Sequence, residues 1–187
     1  MRSLIIFIAL LGTGCMSTMD KMAGIGQIEV GRSSFDKGRV VTLSKSNNYT
    51  GNDWQFASTR FGAKWQESSP ESVIIFLINE SRTDNSNFYT SYEGISVNID
   101  GDIREFEASG STIFDSSDYN TVTNTIYTSS TGVVIVPLDY LKRMVLADDV
   151  RIRVNMSDSY EDIIFSIDKK GTASYSRLKF KEFLAAI

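Results

Sequence analysis

The chain has 187 residues, with 19 Lys and Arg against 23 Asp and Glu, a formal net charge of −4, one cysteine and no histidine. A single cysteine excludes an internal disulfide, and the missing histidine excludes Ser-His-Asp and Cys-His catalysis and nearly all zinc sites. No basic block supplies the electrostatic footprint of a nucleic-acid binder, and the carboxylate-pair, Ser-Lys and calcium chemistries that remain open have no recognisable motif.

The first fifteen residues read as an export segment. Met1-Arg2-Ser3 is a short charged start, Leu4 to Leu11 is an unbroken apolar run, and small Gly12, Thr13 and Gly14 precede Cys15. A basic start, an apolar stretch of about 7–15 residues and small residues before a cut mark a secretory signal. The run is far short of the roughly 20 residues that span a bilayer. Leu10-Leu11-Gly12-Thr13-Gly14-Cys15 resembles the lipobox of bacterial lipoproteins. That resemblance implies that residues 1–14 are removed, that the Cys15 thiol receives a diacylglycerol, and that the new amine is acylated, as with palmitate. It also implies a lipid-anchored place in the bacterial cell envelope, with Met16 after the cysteine favouring the outer membrane. Several acyl chains hold a protein stably where one holds it marginally.

Residues 15–26 then form the lipidated N-terminus and a tether. About eleven flexible residues reach about 20 Å, which keeps a single domain, residues 27–187, near the membrane surface. The texture from there is mostly β. Ile28 to Val30 and Arg39 to Leu43 are short β-prone runs, and Trp54 to Phe61 reads as another. Val73 to Ile78 is wholly apolar, which predicts a strand covered on both faces. Ile95, Val97 and Ile99 alternate with polar residues, and Asp100-Gly101 signals a turn; a three-residue loop, 100–102, would set Ile99 opposite Ile103. Exposed hairpins are expected over 109–131, with strands at 121–128, 133–136, 150–155 and 162–167.

Two helices are expected. Pro137 suits a helix start, with Leu138, Leu141 and Val145 at helical spacing near 137–146. Phe180, Phe183, Leu184 and Ile187 form an apolar stripe near 175–187, the expected second cover of the Val73–Ile78 strand. The fold class is therefore mainly β, an antiparallel β-sandwich with one or two covering helices. The strand, proline, short helix and strand near 133–155, followed by a closing helix, are similar to small β-rich bacterial lipoproteins, a likeness that implies no activity.

Candidate sites are few. Asn98 to Asp102 has acidic spacing but neither the EF-hand interval nor its distal glutamate, and reads as a hairpin. Asp115 and Asp118 read as a solvated loop. Glu161-Asp162 and Asp148-Asp149 are adjacent pairs, and neighbours on a strand point to opposite faces. The segment from Ser81 to Tyr92 is a long polar connection carrying Phe88, Tyr89 and Tyr92, a candidate interaction loop. These readings predict a non-enzymatic envelope lipoprotein without cofactors, which contacts the membrane through Cys15 and binds another protein as an accessory component. The alternative is a ligand-binding lipoprotein that takes a glycan or small molecule on exposed Trp54, Trp65 or Tyr side chains.

Overall fold

The computed structural model describes residues 24–50, 55–83, 89–118, 121–122, 125–168 and 170–187. Among these the strands are β1 (Ile28–Arg32), β2 (Arg39–Ser46), β3 (Tyr49–Thr50), β4 (Thr59–Gln66), β5 (Ser72–Thr83), β6 (Tyr92–Ile99), β7 (Asp102–Glu107), β8 (Ile113–Ser116), β9 (Ile126–Pro137), β10 (Val150–Met156) and β11 (Tyr160–Ile164). Helix α1 (Leu138–Leu146) joins β9 to β10, and α2 (Tyr175–Ala186) follows β11. The expected strand at 133–136 is part of the longer strand β9, which also takes in residues 126–128 of the strand expected at 121–128, whereas residues 121–122 form a turn.

The strands form two antiparallel sheets. One has six strands in the order β1-β2-β4-β5-β9-β8, and the other has five in the order β3-β11-β10-β6-β7. The sheets face each other as a β-sandwich. The strand period of two sorts the side chains. Val41, Leu43, Phe61, Ala63, Val73, Ile75, Leu77, Val134 and Val136 point inward from the first sheet; Ile95, Val97, Ile99, Val150, Ile152 and Val154 meet them from the second. Each fully buried aliphatic side chain contributes about 1.5–3 kcal/mol relative to exposure.

The hairpin between β6 and β7 is tighter than expected. Ile99 pairs with Asp102 and Asn98 with Ile103, so Asp100-Gly101 alone forms the loop. Positive φ at Asp100 (51°) and Gly101 (96°) matches the mirror-image turn whose twist suits paired strands. The register therefore turns Ile103 outward, 64% exposed.

Pro137 stands at the N-cap position of α1 without a capping bond, and Tyr140, Leu141, Met144 and Val145 are the buried face of the helix. Ser174 caps α2, accepting from the Arg177 amide at 3.1 Å and donating to the Phe165 carbonyl. Arg177 also ties the two helices together. Its Nε donates to the Val145 carbonyl at 2.8 Å, and its Nη2 to the Leu146 carbonyl at 3.2 Å. These are carbonyls of the last turn of α1, which lack partners within their own helix.

One expectation about α2 is corrected. The helix does not cover the second face of β5. It packs on β1, β2 and α1, where Phe180 and Phe183 insert beside Phe165 between the sheets. The Ser176 hydroxyl also bonds that of buried Ser46 at 3.0 Å. The stripe is thus consumed in closing one flank of the sandwich, and β5 alternates buried with half-buried residues instead of being buried throughout.

Candidate functional site

Few of the residues singled out in the sequence come together. Cys15, Trp54 and Phe88 lie outside the described residues. Trp65 is a core residue, 7% exposed, whose indole Nε1 donates to the Pro70 carbonyl at 3.0 Å. Tyr89 is half-exposed, its ring 5.0 Å from that of Phe114. Tyr92 is no part of a surface loop. It opens β6 and is 4% exposed, its ring lying over Gly132 of the facing sheet. A shared interaction surface of Phe88, Tyr89 and Tyr92 is therefore not what the fold presents at Tyr92.

Burial pushes the Tyr92 phenol up to about 12; the Thr59 hydroxyl opposes the shift and the nearby Glu161 carboxylate adds to it. The folded state therefore keeps this proton after the unfolded chain loses it near pH 10. Its contribution to stability is complete below that pH and falls as pH rises toward 12, by about 1.4 kcal/mol per unit. Denaturant midpoints near pH 9 and pH 11.5 are expected to fall further for the parent than for Tyr92→Phe, by about 2 kcal/mol. Equal falls would contradict the assignment.

The adjacent carboxylates diverge. Glu161 turns to the six-stranded sheet, accepting from the Ser58 amide at 2.7 Å and the Thr59 amide at 3.0 Å. Asp162 points outward to Arg153. Glu161 therefore links one sheet to the other. Among the described residues no group of three or more His, Cys, Asp or Glu side chains is placed to hold a metal ion. No helix among them is long and apolar enough to cross a membrane.

Two outer faces carry the features that sequence reasoning missed. On the six-stranded sheet, Ile74 pairs with Ile135, Phe76 with Val133, and Ile78 with Thr131, whose other neighbour is Ile113. Their inward neighbours build the core, so these side chains point away from it. Ile135 is 49% and Ile113 64% exposed, and Ile74, Phe76, Ile78 and Val133 are half-buried. No helix or strand is layered over them among the described residues. Lys64 and Arg60 flank the apolar centre, paired with Ile74 and Ile78 on β4. Arg60 and Lys45 both reach Glu80, and Glu29 of β1 lies in the row of Lys64 through Thr42, so that side carries three cations and two carboxylates.

The outer face of the five-stranded sheet is polar. One cross-strand row is Glu105, Ser96, Arg153 and Asp162. A second is Ile103, Asn98, Arg151 and Ile164. A third is Glu107, Gly94, which has no side chain, Asn155 and Tyr160. The first two rows line a trough of about 630 Å³. Arg153 is fixed within it. Its Nε and Nη2 donate to the two Asp162 oxygens at 2.7 and 3.0 Å, and its guanidinium lies 4.1 Å from the centre of the Tyr160 ring. The Arg153 hydrogen bonds hold the Asp162 carboxyl below the usual carboxylate range against a smaller opposing effect of burial. Asn155 donates to the Ser96 hydroxyl at 3.1 Å, and Arg151 to Asp149 at 3.2 Å.

Fold and faces define an antiparallel β-sandwich with two covering helices, apolar on one outer face and polar on the other. The chain matches no protein-family model, no curated protein and no solved structure.

Proposed function

We propose that this chain is a non-enzymatic, lipid-anchored component of a bacterial envelope, and that it binds another protein through the outer face of its six-stranded sheet. The observation that carries the reading is the uncovered half of β5. A run as apolar as Val73 to Ile78 belongs to a strand buried on both sides, yet the elements among the described residues bury only one. Ile135, Ile113 and Val133 extend the uncovered surface across two further strands. Contiguous exposed apolar surface rimmed by polar residues marks interaction sites.

The partner is a different protein, with an apolar face rimmed by carboxylates. The charge of the flank supports this choice: Lys45, Arg60 and Lys64 outnumber Glu80 and Glu29 by one in a chain whose net charge is −4. Complementary charge favours the right partner and speeds encounter. Cys15 would hold the domain at the membrane, and the apolar face would hold the partner there.

In detergent-solubilised envelopes, the parent is expected to co-purify a discrete partner that Ile135→Glu releases, because a carboxylate forced into an apolar contact has no compensating bond. Lys64→Glu should weaken the same association, while Arg153→Ala on the opposite face should leave it intact. Cys15→Ala should move both proteins out of the membrane fraction. Capture that ignores Ile135→Glu would contradict the reading. A homodimer that the substitution converts to monomers would assign the face to a second copy instead.

A further inference from the structure

We propose that the trough on the five-stranded sheet binds a neutral, hydroxyl-rich ligand, an oligosaccharide, laid across the strands along the row of Glu105, Ser96, Arg153 and Asp162. This site is on the opposite side of the sandwich from the apolar face and does not depend on it.

Size, charge balance, hydrogen-bonding pattern and rigidity converge on that class. The trough of about 630 Å³ lies within the range of ligand sites, about 300–1,000 Å³, and its lining mixes charged, hydroxyl and amide side chains with isoleucines such as Ile103 and Ile164. Its charges cancel, Arg151 and Arg153 against Glu105 and Asp162. An anion would have to draw Arg153 from a two-point bond with Asp162, among the strongest side-chain pairs. A cation would need the carboxylates together, and Glu105 and Asp162 stand three strand spacings apart, about 14 Å. A hydroxyl both donates and accepts, so a polyol can meet guanidinium and amide donors and carboxylate acceptors in turn.

Arg153 is already held between Asp162 and Tyr160, so binding costs little additional side-chain freedom. Ile103, 64% exposed, lines the trough, and Tyr160, 62% exposed, stands beside it against Arg153. A pyranose presents hydroxyls at its edge and C–H groups on its face, and a tyrosine offers the matching combination of ring and hydroxyl. A peptide strand would seek an open sheet edge, where backbone groups are free to pair. The trough runs across the interior strands β6 and β10, whose backbone bonds are already made.

Backbone amide NMR of the purified chain, titrated with tetramers of N-acetylglucosamine, glucose and xylose, tests the proposal. Tetragalacturonate and a tetraserine peptide serve as comparison probes. At least one neutral tetramer is expected to shift the amides of Ser96, Asn98 and Arg153 saturably. Arg153→Ala and, separately, Asn98→Ala should each raise its Kd about tenfold, the scale of a lost hydrogen bond to a charged or buried partner. Ile135→Glu should leave the Kd unchanged. Unaltered thermal midpoints would establish that the Arg153 and Asn98 variants are folded. The proposal is overturned if no neutral tetramer shifts these amides or if neither trough substitution weakens binding. It is also overturned if the peptide binds as well, or if only tetragalacturonate binds and salt removes it.

Discussion

Phe183→Ala is expected to lower the free energy of unfolding by about 3–5 kcal/mol, the usual cost of removing a buried phenyl ring. Phe183 is fully buried and packs edge-on against Phe180 at 6.4 Å; Phe180 meets Phe165 at 5.6 Å. This aromatic line joins α2 to the end of β11, where the two sheets would otherwise stand open to water. The loss combines the transfer energy of the ring with the cavity it leaves. Phe183→Leu should recover much of it, because a smaller cavity remains. Equilibrium urea unfolding of the two variants beside the parent checks the ordering. A cost for Phe183→Ala below about 1 kcal/mol, the scale of a surface change, would mean that α2 does not close the sandwich.

Gly132→Val is expected to cost about 3 kcal/mol or more, the upper end for overpacking a filled core. Gly132 sits on the inward face of β9, opposite Tyr92 of the other sheet. A Cβ at this position would fall 2.7 Å from both Cβ and Cδ2 of Tyr92 and 2.9 Å from its Cγ. Those atoms belong to the root of a side chain held at the start of a strand, so the sheets must part or β9 must bend. Gly132→Ala should show a smaller loss of the same sign. In a double-mutant cycle, Tyr92→Ala should absorb most of the alanine penalty, since residues in contact do not add independently. Additive losses would show that the two positions do not touch.

These two sites mark what the sequence reveals and what it hides. Phe183 belongs to a stripe at i, i+3, i+4 and i+7, a local pattern that a helix must bury, and the helices at 138–146 and 175–186 follow from such patterns and from Pro137. The inward parity of Ile95, Val97 and Ile99 is equally local. Gly132 is different, because nothing near it in the chain announces that Tyr92 will lie across it. The same limit explains the hairpin register, where a two-residue turn with positive φ at Asp100 reversed the face of Ile103. It also explains α2, whose stripe predicts burial but does not name the surface that buries it.

The candidate sites divide in the same way. Arg151 and Arg153 alternate with Val150, Ile152 and Val154, so their outward direction is legible. Their neighbours Ser96, Glu105 and Asp162 arrive only through pairing between distant strands. The apolar face did leave a signal. The Val73–Ile78 run demands two covers, and the described residues supply only one. Tyr92 shows the opposite case, an aromatic residue in a polar segment that the fold draws into its core.

The most direct test of the proposed function is site-specific photo-crosslinking in intact envelopes, with a photoreactive residue at Ile135 and, for comparison, at Phe35, which is 97% exposed and far in sequence from the apolar face. One discrete crosslinked protein is expected from Ile135, none from Phe35, and the Ile135 product should be lost when Ile113 and Val133 are replaced by glutamate. No product from Ile135, or the same products from both positions, would contradict the proposed function.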